Sequence, residues 1–441
     1  MIRISLVIYT IIGLGILFFY FSGSSVDKAI DDNKIRFMSL AWQTQAIAAN
    51  KRIVKEWNEM HPEMPVEYIA GSWTSMADYL ATGFETGDLP DIFHYLCTGL
   101  VDFALRDHLA DLSPYISQET REDIIDTAWD PVTRSNGEIM GIPFLIEPMI
   151  NIYNKRLFEE AGIAAPTQDA PWSWDELRAA AKKLTKDTDG DGRIDQWGLG
   201  MALQGPSRKI LELSPNFGGS FIYTENNQPV IRVKEAERAL LKTLRDLLYE
   251  DRSLAPSSIG SNFLSVIPGF FQEKYAIMLM VGVWVRQQMS EHSPEGFRWG
   301  VFPGVKGVSQ RVGTVTQTLS IPKMSNKTSQ AMDFIEFFLN TGNMAELAVG
   351  DWEAPTRKSC FSLPVFQTTE DGWKQAIEAV ENTEAMTWLG VPGYTEWQGR
   401  VANPILEEMF ANRLTLDEAC KKLETESAQI LKRYRKRRQR W

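Results

Sequence analysis

Strand-like and helix-like patterns alternate along the first part of the chain. Lys34–Trp42 (KIRFMSLAW) is largely apolar and short, which indicates a β-strand, and Ala46–Met60 repeats apolar residues at helical spacing. The same order of strand, helix and strand returns in Pro65–Ala70 (PVEYIA), Met76–Glu85 and Asp91–Leu96 (DIFHYL). This alternation predicts an α/β fold with a largely parallel sheet.

The middle and the end of the chain continue in mixed α/β character. Ile139–Gly162 (IMGIPFLIEPMINIYNKRLFEEAG) runs from a strand into a helix that ends at a glycine. Ser173 and Glu176 have the spacing of a capping box and predict the start of the next helix. Thr314–Lys323 (TVTQTLSIPK) predicts a strand, and the chain from Leu414 onward predicts a helix that ends in a basic tail.

The N-terminal segment has a different pattern. Ile4–Phe21 carries no charge, follows Arg3 and precedes small residues, which is typical of a secretory signal. Its length is also near the minimum for a membrane-spanning helix, so it predicts a signal peptide or a retained anchor. We expect the rest of the chain to lie on the periplasmic or extracellular face, either secreted or anchored to the inner membrane. No cysteine directly follows the apolar run, so the usual bacterial lipid attachment is not available.

Composition narrows the class of protein. The 441 residues are 44% hydrophobic and 23% charged, which is typical of a soluble globular protein with room for two domains. A net charge of −11 argues against a nucleic-acid partner. Three scattered cysteines and four isolated histidines give no zinc-ligand spacing. No hydrolytic triad or phosphate-binding loop is present, and spacing singles out no pair of carboxylates, so a glycosidase stays open.

Tryptophans supply the first indication of a binding site. Several of the 14 lie beside turn residues, among them Trp42, Trp73, Trp284 and Trp352. Ligands of open α/β sheets bind at the carboxyl ends of strands, and an indole face can stack on the C–H face of a sugar ring. For each of these side chains, the alternative is an ordinary position in the core.

The stretch Thr185–Gly198 (TKDTDGDGRIDQWG) resembles a calcium loop of the EF-hand type. Gly198 stands at position twelve, where such a loop needs a bidentate glutamate, so the alternative is a surface turn rich in aspartate with no metal. We expect no required cofactor and calcium as an optional ligand. The predicted ligands are Asp187, Asp189, Asp191, the carbonyl of Arg193, and Asp195.

Six segments, in order, resemble those of a known family. The resemblance extends over roughly residues 34 to 435 and is to extracellular solute-binding protein family 1, the carbohydrate-binding components of ABC transporters, to which maltose-binding protein belongs. The segments are ETGDLPDIFHY (Glu85–Tyr95), NGEIMGIPF (Asn136–Phe144), NIYNKRLFEEAGI followed by APWSWDEL (Asn151–Leu177), KYAIMLMVGVW (Lys274–Trp284), WGVFPGVKG (Trp299–Gly307) and APTRKS (Ala354–Ser359).

The resemblance implies an α/β fold with two periplasmic-binding-protein-like lobes, each discontinuous, joined by crossing hinge strands. The crossings are expected near Phe144–Asn151, Thr316–Ser320 and Ser362–Phe366, and Pro148 makes the first of them unusual for the family. The predicted units are a signal peptide or anchor (1–25), a linker (26–33), an N-lobe (34–146 plus 318–362), a C-lobe (147–317 plus 363–435) and a basic tail (436–441).

The resemblance also implies a function and a set of ligand contacts. We expect a monomer that captures a sugar or oligosaccharide between the lobes and delivers it to the permease subunits of an ABC importer, without enzymatic activity. Two alternatives remain: a membrane-tethered, calcium-stabilised glycoside hydrolase or lyase, and a solute sensor that docks to a receptor kinase. The expected ligand-binding residues are Trp42, Asp91, His94, Tyr95, Glu147, Trp284 and Trp352.

The expected contacts rest on different arguments. Glu147 precedes Asn154 by the spacing at which the family places a glutamate that bonds sugar hydroxyls, and Trp284 matches its stacking tryptophan. Trp42 and the pair His94–Tyr95 lie near the ends of the first and third strands. Asp91 either caps a loop or touches the ligand, and Trp352 is expected at the rim of the cleft.

Overall fold

The computed structural model describes residues 33–226, 228–386, 391 and 393–438. The strands are β1 (Ile35–Ser39), β2 (Val66–Ala70), β3 (Ile92–Leu96), β4 (Ile142–Ile146), β5 (Met149–Asn154), β6 (Trp197–Met201), β7 (Ile222–Glu225), β8 (Gln228–Ile231), β9 (Tyr275–Gly282), β10 (Trp299–Phe302), β11 (Val312–Thr314), β12 (Thr316–Ser320), β13 (Ala354–Pro355) and β14 (Thr383–Ala385). The helices are α1 (Thr44–Met60), α2 (Met76–Thr86), α3 (Cys97–Leu105), α4 (Gln118–Asp123), α5 (Asp126–Trp129), α6 (Lys155–Glu160), α7 (Trp174–Leu184), α8 (Ser207–Leu213), α9 (Glu235–Tyr249), α10 (Ile267–Phe271), α11 (Val285–His292), α12 (Thr328–Phe338), α13 (Thr341–Asp351), α14 (Lys358–Phe361), α15 (Pro364–Gln367), α16 (Trp373–Val380), α17 (Tyr394–Trp397), α18 (Asn403–Phe410) and α19 (Leu416–Arg438).

The larger sheet has six strands in the order β2-β1-β3-β12-β4-β13. Strand β1 pairs in parallel with β2 and β3, whereas β12 pairs antiparallel with both β3 and β4. Phe37 of β1 is fully buried, and its ring packs against Phe334 and Phe338 of α12 at centroid distances of 5.6 and 5.1 Å. The apolar stripe of α12 therefore covers one face of this sheet.

The smaller sheet has four strands in the order β10-β5-β9-β6. All residues of the central strand β9 are buried, which explains its uninterrupted apolar sequence, because a strand covered on both faces needs no polar alternation. Helix α7 packs on β6 and begins at the predicted capping box, in which Ser173 and Glu176 bond each other's backbone N–H groups.

The chain passes between the two sheets at single points. Glu147 and Pro148 connect β4 of the larger sheet to β5 of the smaller one, and the carbonyl of Pro148 accepts a hydrogen bond from Val283 (3.2 Å). Later in the chain, Val315 separates β11, which pairs with β14 in a sheet of two strands, from β12 of the larger sheet. This break lies one residue before the expected Thr316–Ser320 crossing, all of which lies in the larger sheet. The architecture is the predicted α/β fold of two discontinuous lobes joined by crossing strands.

Some predictions fall outside the described residues. The apolar N-terminal segment, most of the linker before residue 33 and residues 439–441 of the basic tail are among them. None of the helices in the described part of the chain combines the length and the apolar character needed to cross a bilayer.

Candidate functional site

A cavity of about 200 Å³ lies between the two sheets, where the carboxyl ends of four strands converge. Trp42 follows β1, Trp73 follows β2, Leu96 ends β3 and Trp284 follows β9. Because the carboxyl ends of parallel strands share one edge of a sheet, residues distant in sequence meet here. The cavity is also lined by Gln43, Glu147, Arg208, Phe263, Gln317, Asp351 and Glu353.

Glu147 lies at the centre of this site and in the connection between the lobes. Its Oε1 accepts a hydrogen bond from Trp284 Nε1 (3.0 Å), and its Oε2 accepts one from Arg208 Nη2 (2.7 Å). Its backbone N–H donates to the carbonyl of Val315 (3.1 Å), and its carbonyl accepts from the hydroxyl of Thr314 (2.8 Å). The carboxylate is therefore held in place where the two crossings meet.

Behind Glu147 lies a buried charge network on α8. The side chain of Glu212 is fully buried and accepts hydrogen bonds from Arg208 Nε (2.6 Å) and Lys209 Nζ (3.1 Å). Burial alone would raise the pKa of Glu212, but the charges of Lys209 and Arg208 outweigh it and hold this pKa below its usual value. Burial lowers the pKa of Lys209, whereas Glu147 and Glu212 overcome burial and raise the pKa of Arg208. Arg208 is thus shared between two carboxylates.

Aromatic rings form the walls of the cavity. The rings of Trp42 and Trp284 meet nearly at right angles (81°) with centroids 6.3 Å apart, and Trp42 is 50% exposed. Phe263 contacts Trp284 from another side, with centroids 6.2 Å apart. An exposed indole beside a cavity offers a flat apolar surface for an apolar ring face.

Two further carboxyl groups enter the cavity from the end of α13. Asp351 and Glu353 are only 6% and 4% exposed. Gln317 Nε2 donates a hydrogen bond to Asp351 Oδ2 (3.0 Å), and Gln43 Nε2 donates to the backbone carbonyl of Asp351 (3.0 Å). Burial raises the pKa of Asp351 to about 6, although the bond from Gln317 opposes this shift. Burial, and then repulsion from Glu147 and Asp351, raises the pKa of Glu353 well above its usual value.

The raised pKa of Asp351 predicts a pH-dependent effect of Asp351→Asn. Because the folded-state pKa of about 6 exceeds that of the unfolded chain, Asp351 destabilises the native state progressively between about pH 4 and pH 6, fully above this range and not below it. We expect the variant to increase the free energy of unfolding by about 1–3 kcal/mol at pH 8 and hardly at pH 4. Urea unfolding at both pH values measures this, and an equal gain at both would contradict the assignment.

Two of the predicted contact residues lie elsewhere. Asp91 is at the amino end of β3, opposite to the cavity, where its carboxylate accepts bonds from the Arg36 backbone N–H (2.9 Å) and the Ser325 hydroxyl (2.8 Å). His94 is buried between the rings of Trp73 and Phe144, and its Nδ1 accepts the Leu40 backbone N–H (3.1 Å). Burial lowers the pKa of His94 to about 3, so this residue is a neutral core imidazole. Both expectations are corrected: Asp91 forms hydrogen bonds that connect β3 to the segments of Arg36 and Ser325, and His94 packs in the core.

Tyr95 and Trp352 are also placed away from the cavity lining. Side chains alternate along β3, so Tyr95 points to the face opposite that of Leu96 and packs against Gly99, where a Cβ would lie 1.9 Å from its ring. Trp352 adopts a left-handed backbone (φ 56°) and stacks on Trp373 with centroids 5.4 Å apart. Trp352 is 8% exposed, so the expected position at the rim is corrected to one in the core.

The cavity also contains residues that the sequence did not single out. Asp351 and Glu353 are the two sequence neighbours of the predicted Trp352 in GDWEAP. The sequence therefore indicated the correct segment but not the correct residues. Arg208 gave no signal, because its partner Glu147 lies 61 residues earlier in the chain. Of the predicted residues, Trp42, Glu147 and Trp284 do line the cavity, and their contact with a ligand stays a prediction.

The aspartate-rich loop forms a separate exposed cluster. Asp187, Asp189 and Asp195 each place a carboxylate oxygen within 4.8 Å of the others. Asp191 instead accepts a hydrogen bond from the backbone N–H of Arg193 (2.8 Å). The loop thus supplies three of the four predicted carboxylates as one group, and calcium binding stays a prediction. Thermal unfolding with added calcium and with EDTA tests it, since a ligand of the folded state raises the midpoint.

Gly198 shows why this loop lacks the glutamate at position twelve. Its N–H donates to the hydroxyl of Thr185 (2.9 Å), and a Cβ at this position would lie 2.1 Å from the carbonyl oxygen of Ala181 in α7. Because that oxygen belongs to the backbone, no side chain fits there without moving the helix. Any calcium ion would therefore need water or another ligand to complete its shell of six to eight oxygens.

The fold and the cavity between its lobes define a class: two-lobed binding proteins that hold a small solute between two α/β halves. Residues 41–345 match the family described as bacterial extracellular solute-binding proteins. An uncharacterized lipoprotein from the oleD 5′ region of Streptomyces antibioticus is 36% identical over 411 residues, covering 92% of this chain and 89% of that protein. The chain therefore belongs to the bacterial extracellular solute-binding proteins, which confirms the predicted family and the extracytoplasmic location.

Solved structures agree on the fold. The sugar-binding protein MalE from Xanthomonas citri is 20% identical, superposes with a TM-score of 0.78, and covers 91% of this chain and 98% of its own. The ABC substrate-binding protein Lmo0181 from Listeria monocytogenes, solved with cycloalternan, is 21% identical with a TM-score of 0.73 and covers 89% of this chain and 97% of its own. These similarities confirm the predicted two-lobed architecture.

Proposed function

We propose that this chain is the substrate-binding component of an ABC importer and captures a sugar or oligosaccharide in the cavity between its lobes. One observation carries the proposal: the edge-to-face pair of Trp42 and Trp284 gives the cavity an aromatic surface, and carboxyl, guanidinium and amide groups of the lining lie beside it. A sugar has apolar C–H faces and a rim of hydroxyls, so it needs both kinds of contact at once. The names of the structural neighbours point in the same direction.

Both lobes contribute residues to the cavity. Trp42 and Gln317 belong to the lobe of the larger sheet, whereas Trp284 and Arg208 belong to the other lobe. A ligand that contacts both sets binds the closed arrangement more tightly and shifts the open–closed equilibrium towards it. Glu147 lies in the crossing itself and accepts hydrogen bonds from Arg208 and from the indole of Trp284. Closure of the lobes and contact with the ligand are therefore coupled at this residue.

The partners follow from this function. The closed, loaded protein would dock on the permease subunits of the importer as a monomer, and the chain itself would break no bond. The alternative of a glycoside hydrolase has one observation in its favour, because Glu147, Asp351 and Glu353 bring carboxyl groups to one cavity. A reducing-end assay on oligosaccharides separates the two: we expect no turnover, and turnover lost in Glu147→Gln would establish the enzyme.

A thermal-shift screen against a carbohydrate panel tests the binding function directly. A ligand that binds only the folded state at 100 times its Kd stabilises it by about 2.7 kcal/mol, so one or a few sugars should raise the unfolding midpoint clearly. The same sugars should change the intrinsic fluorescence, because Trp42 and Trp284 lie in the cavity. If no carbohydrate shifts the midpoint while another class of solute does, the sugar assignment is wrong.

A further inference from the structure

Asp351 and Glu353 line the cavity, and each has one buried carboxyl oxygen without a hydrogen-bond partner among the described residues. Both side chains are more than nine-tenths buried, and Asp351 Oδ1 and Glu353 Oε2 have no hydrogen-bond partner. Buried polar atoms without a partner are rare in folded proteins, because each loses its contacts with water and gains nothing in return. Gln43 Oε1 and Gln317 Oε1 also lack a partner, so four lining residues carry such an acceptor, and a ligand with several donor groups is expected to complete them.

In the part of the chain that the structure describes, the two carboxyl groups also lack a cation at ion-pair distance. Glu147 and Glu212 pair with cations of α8, but within the described residues neither Asp351 nor Glu353 forms an ion pair. The nearby Arg286 attracts Glu353 electrostatically, yet its guanidinium donates to the backbone carbonyls of Val283 (2.8 Å), Trp352 (3.1 Å) and Asp371 (3.2 Å). Burial, and then repulsion from Glu147, raises the pKa of both carboxyl groups at this end of the cavity.

A positively charged ligand group would suit these carboxyl groups, and the rest of the cavity lining indicates which kind of cation fits. A bare calcium or magnesium ion needs six or more oxygen ligands, whereas much of this cavity is indole, phenyl and aliphatic surface. An ammonium group on a sugar needs only a few acceptors and is also attracted to the faces of Trp42 and Trp284. Ordinary hydroxyls can bond to carboxylates as well, but they leave the negative charge in place.

We propose that the ligand is a saccharide that carries a protonated amino group, bound by Asp351 and Glu353. This proposal rests on the proposed function, since it names the class of sugar that the same cavity takes. Stacking on the tryptophans would hold the ring, and the two carboxyl groups would distinguish an amino sugar from its neutral counterpart.

Titration calorimetry with matched sugars tests the proposal on the full chain. The probes are cellobiose, chitobiose and N,N′-diacetylchitobiose, which share one skeleton and differ at the amino position, together with glucose and glucosamine, galactose and galactosamine, and trehalose and its 2-amino-2-deoxy analogue. We expect at least one amino sugar to bind more than tenfold tighter than its neutral counterpart. This preference should fall to less than threefold in Asp351→Asn or Glu353→Gln.

The control variant is Glu346→Gln, which removes an exposed carboxylate of the same helix that pairs with Arg52 outside the cavity and should leave the preference unchanged. Binding of neutral sugars with no advantage for any amino counterpart would overturn the proposal and leave the sugar-binding function intact. If no sugar binds, either among these pairs or in the wider carbohydrate screen, the amino-sugar proposal and the sugar-binding function are both wrong. Calcium binding without sugar that disappears in Asp351→Asn would assign the carboxyl groups to a metal and also overturn the proposal.

Discussion

Trp284→Ala is expected to weaken ligand binding by about 30- to 150-fold, which corresponds to about 2–3 kcal/mol, the range of a binding hot spot. The indole contributes twice. It forms part of the cavity wall together with Trp42, and its Nε1 donates a hydrogen bond to the carboxylate of Glu147 (3.0 Å). Alanine removes the stacking surface and also frees Glu147 to rotate, so the ligand loses an orientated acceptor as well.

Two companion variants separate these contributions. Trp284→Phe keeps an aromatic face but cannot donate to Glu147, so its affinity should lie between that of the wild type and that of the alanine variant. Trp299→Ala removes a partly buried tryptophan of the same sheet that does not line the cavity, and it should leave affinity unchanged. Calorimetry with the sugar found in the thermal-shift screen measures all three. Wild-type affinity in Trp284→Ala would remove this residue from the binding site.

Glu212→Gln is expected to lower the free energy of unfolding by about 3–5 kcal/mol, because it leaves buried cations without their counter-ion. Glu212 is fully buried and lies between Arg208 Nε (2.6 Å) and Lys209 Nζ (3.1 Å). Glutamine preserves the shape but removes the charge that opposes the lowering of the Lys209 pKa by burial. Because the folded-state pKa of Glu212 is depressed, its stabilising contribution should be present above about pH 4.5 and be lost on acidification below that value.

An exposed ion pair provides the matched control. Glu159→Gln breaks the pair with Arg298, both of whose side chains are more than half exposed, and exposed pairs contribute less than about 1 kcal/mol. Urea unfolding at neutral pH should therefore separate the two variants clearly. Similar losses in Glu212→Gln and Glu159→Gln would show that the network on α8 is not a buried counter-ion arrangement.

The fold was largely predictable because its strands and helices have strong local patterns. Helix α1 begins two residues before the predicted Ala46, and the capping box at Ser173 starts α7 as expected. Strand β1 ends at Ser39, earlier than predicted, which places Trp42 in a loop at the cavity. The break at Val315 was not predictable, because Thr314 and Thr316 on either side of it continue the same strand-like pattern.

The candidate site was less predictable because it depends on which way side chains point. His94 and Tyr95 lie near the correct strand end, but one fills the core and the other faces away. At the end of α13, the left-handed backbone of Trp352 turns the chain so that its neighbours Asp351 and Glu353 reach the cavity while the indole does not. A single sequence does not reveal such a turn, because a tryptophan with positive φ is uncommon.

The position of β12 between β3 and β4 has a consequence for biogenesis. Leu319 of β12 pairs with His94 of β3 and with Ile142 of β4, so the two earlier strands remain unconnected in the sheet until β12 has been synthesised. Pairings of such long sequence separation form slowly, because the loop between them must close first. The first lobe therefore cannot complete its sheet until β12 and β13 have been synthesised. For a protein that acts outside the cytoplasm, we expect this late step to leave more time for the unfolded chain to cross the membrane.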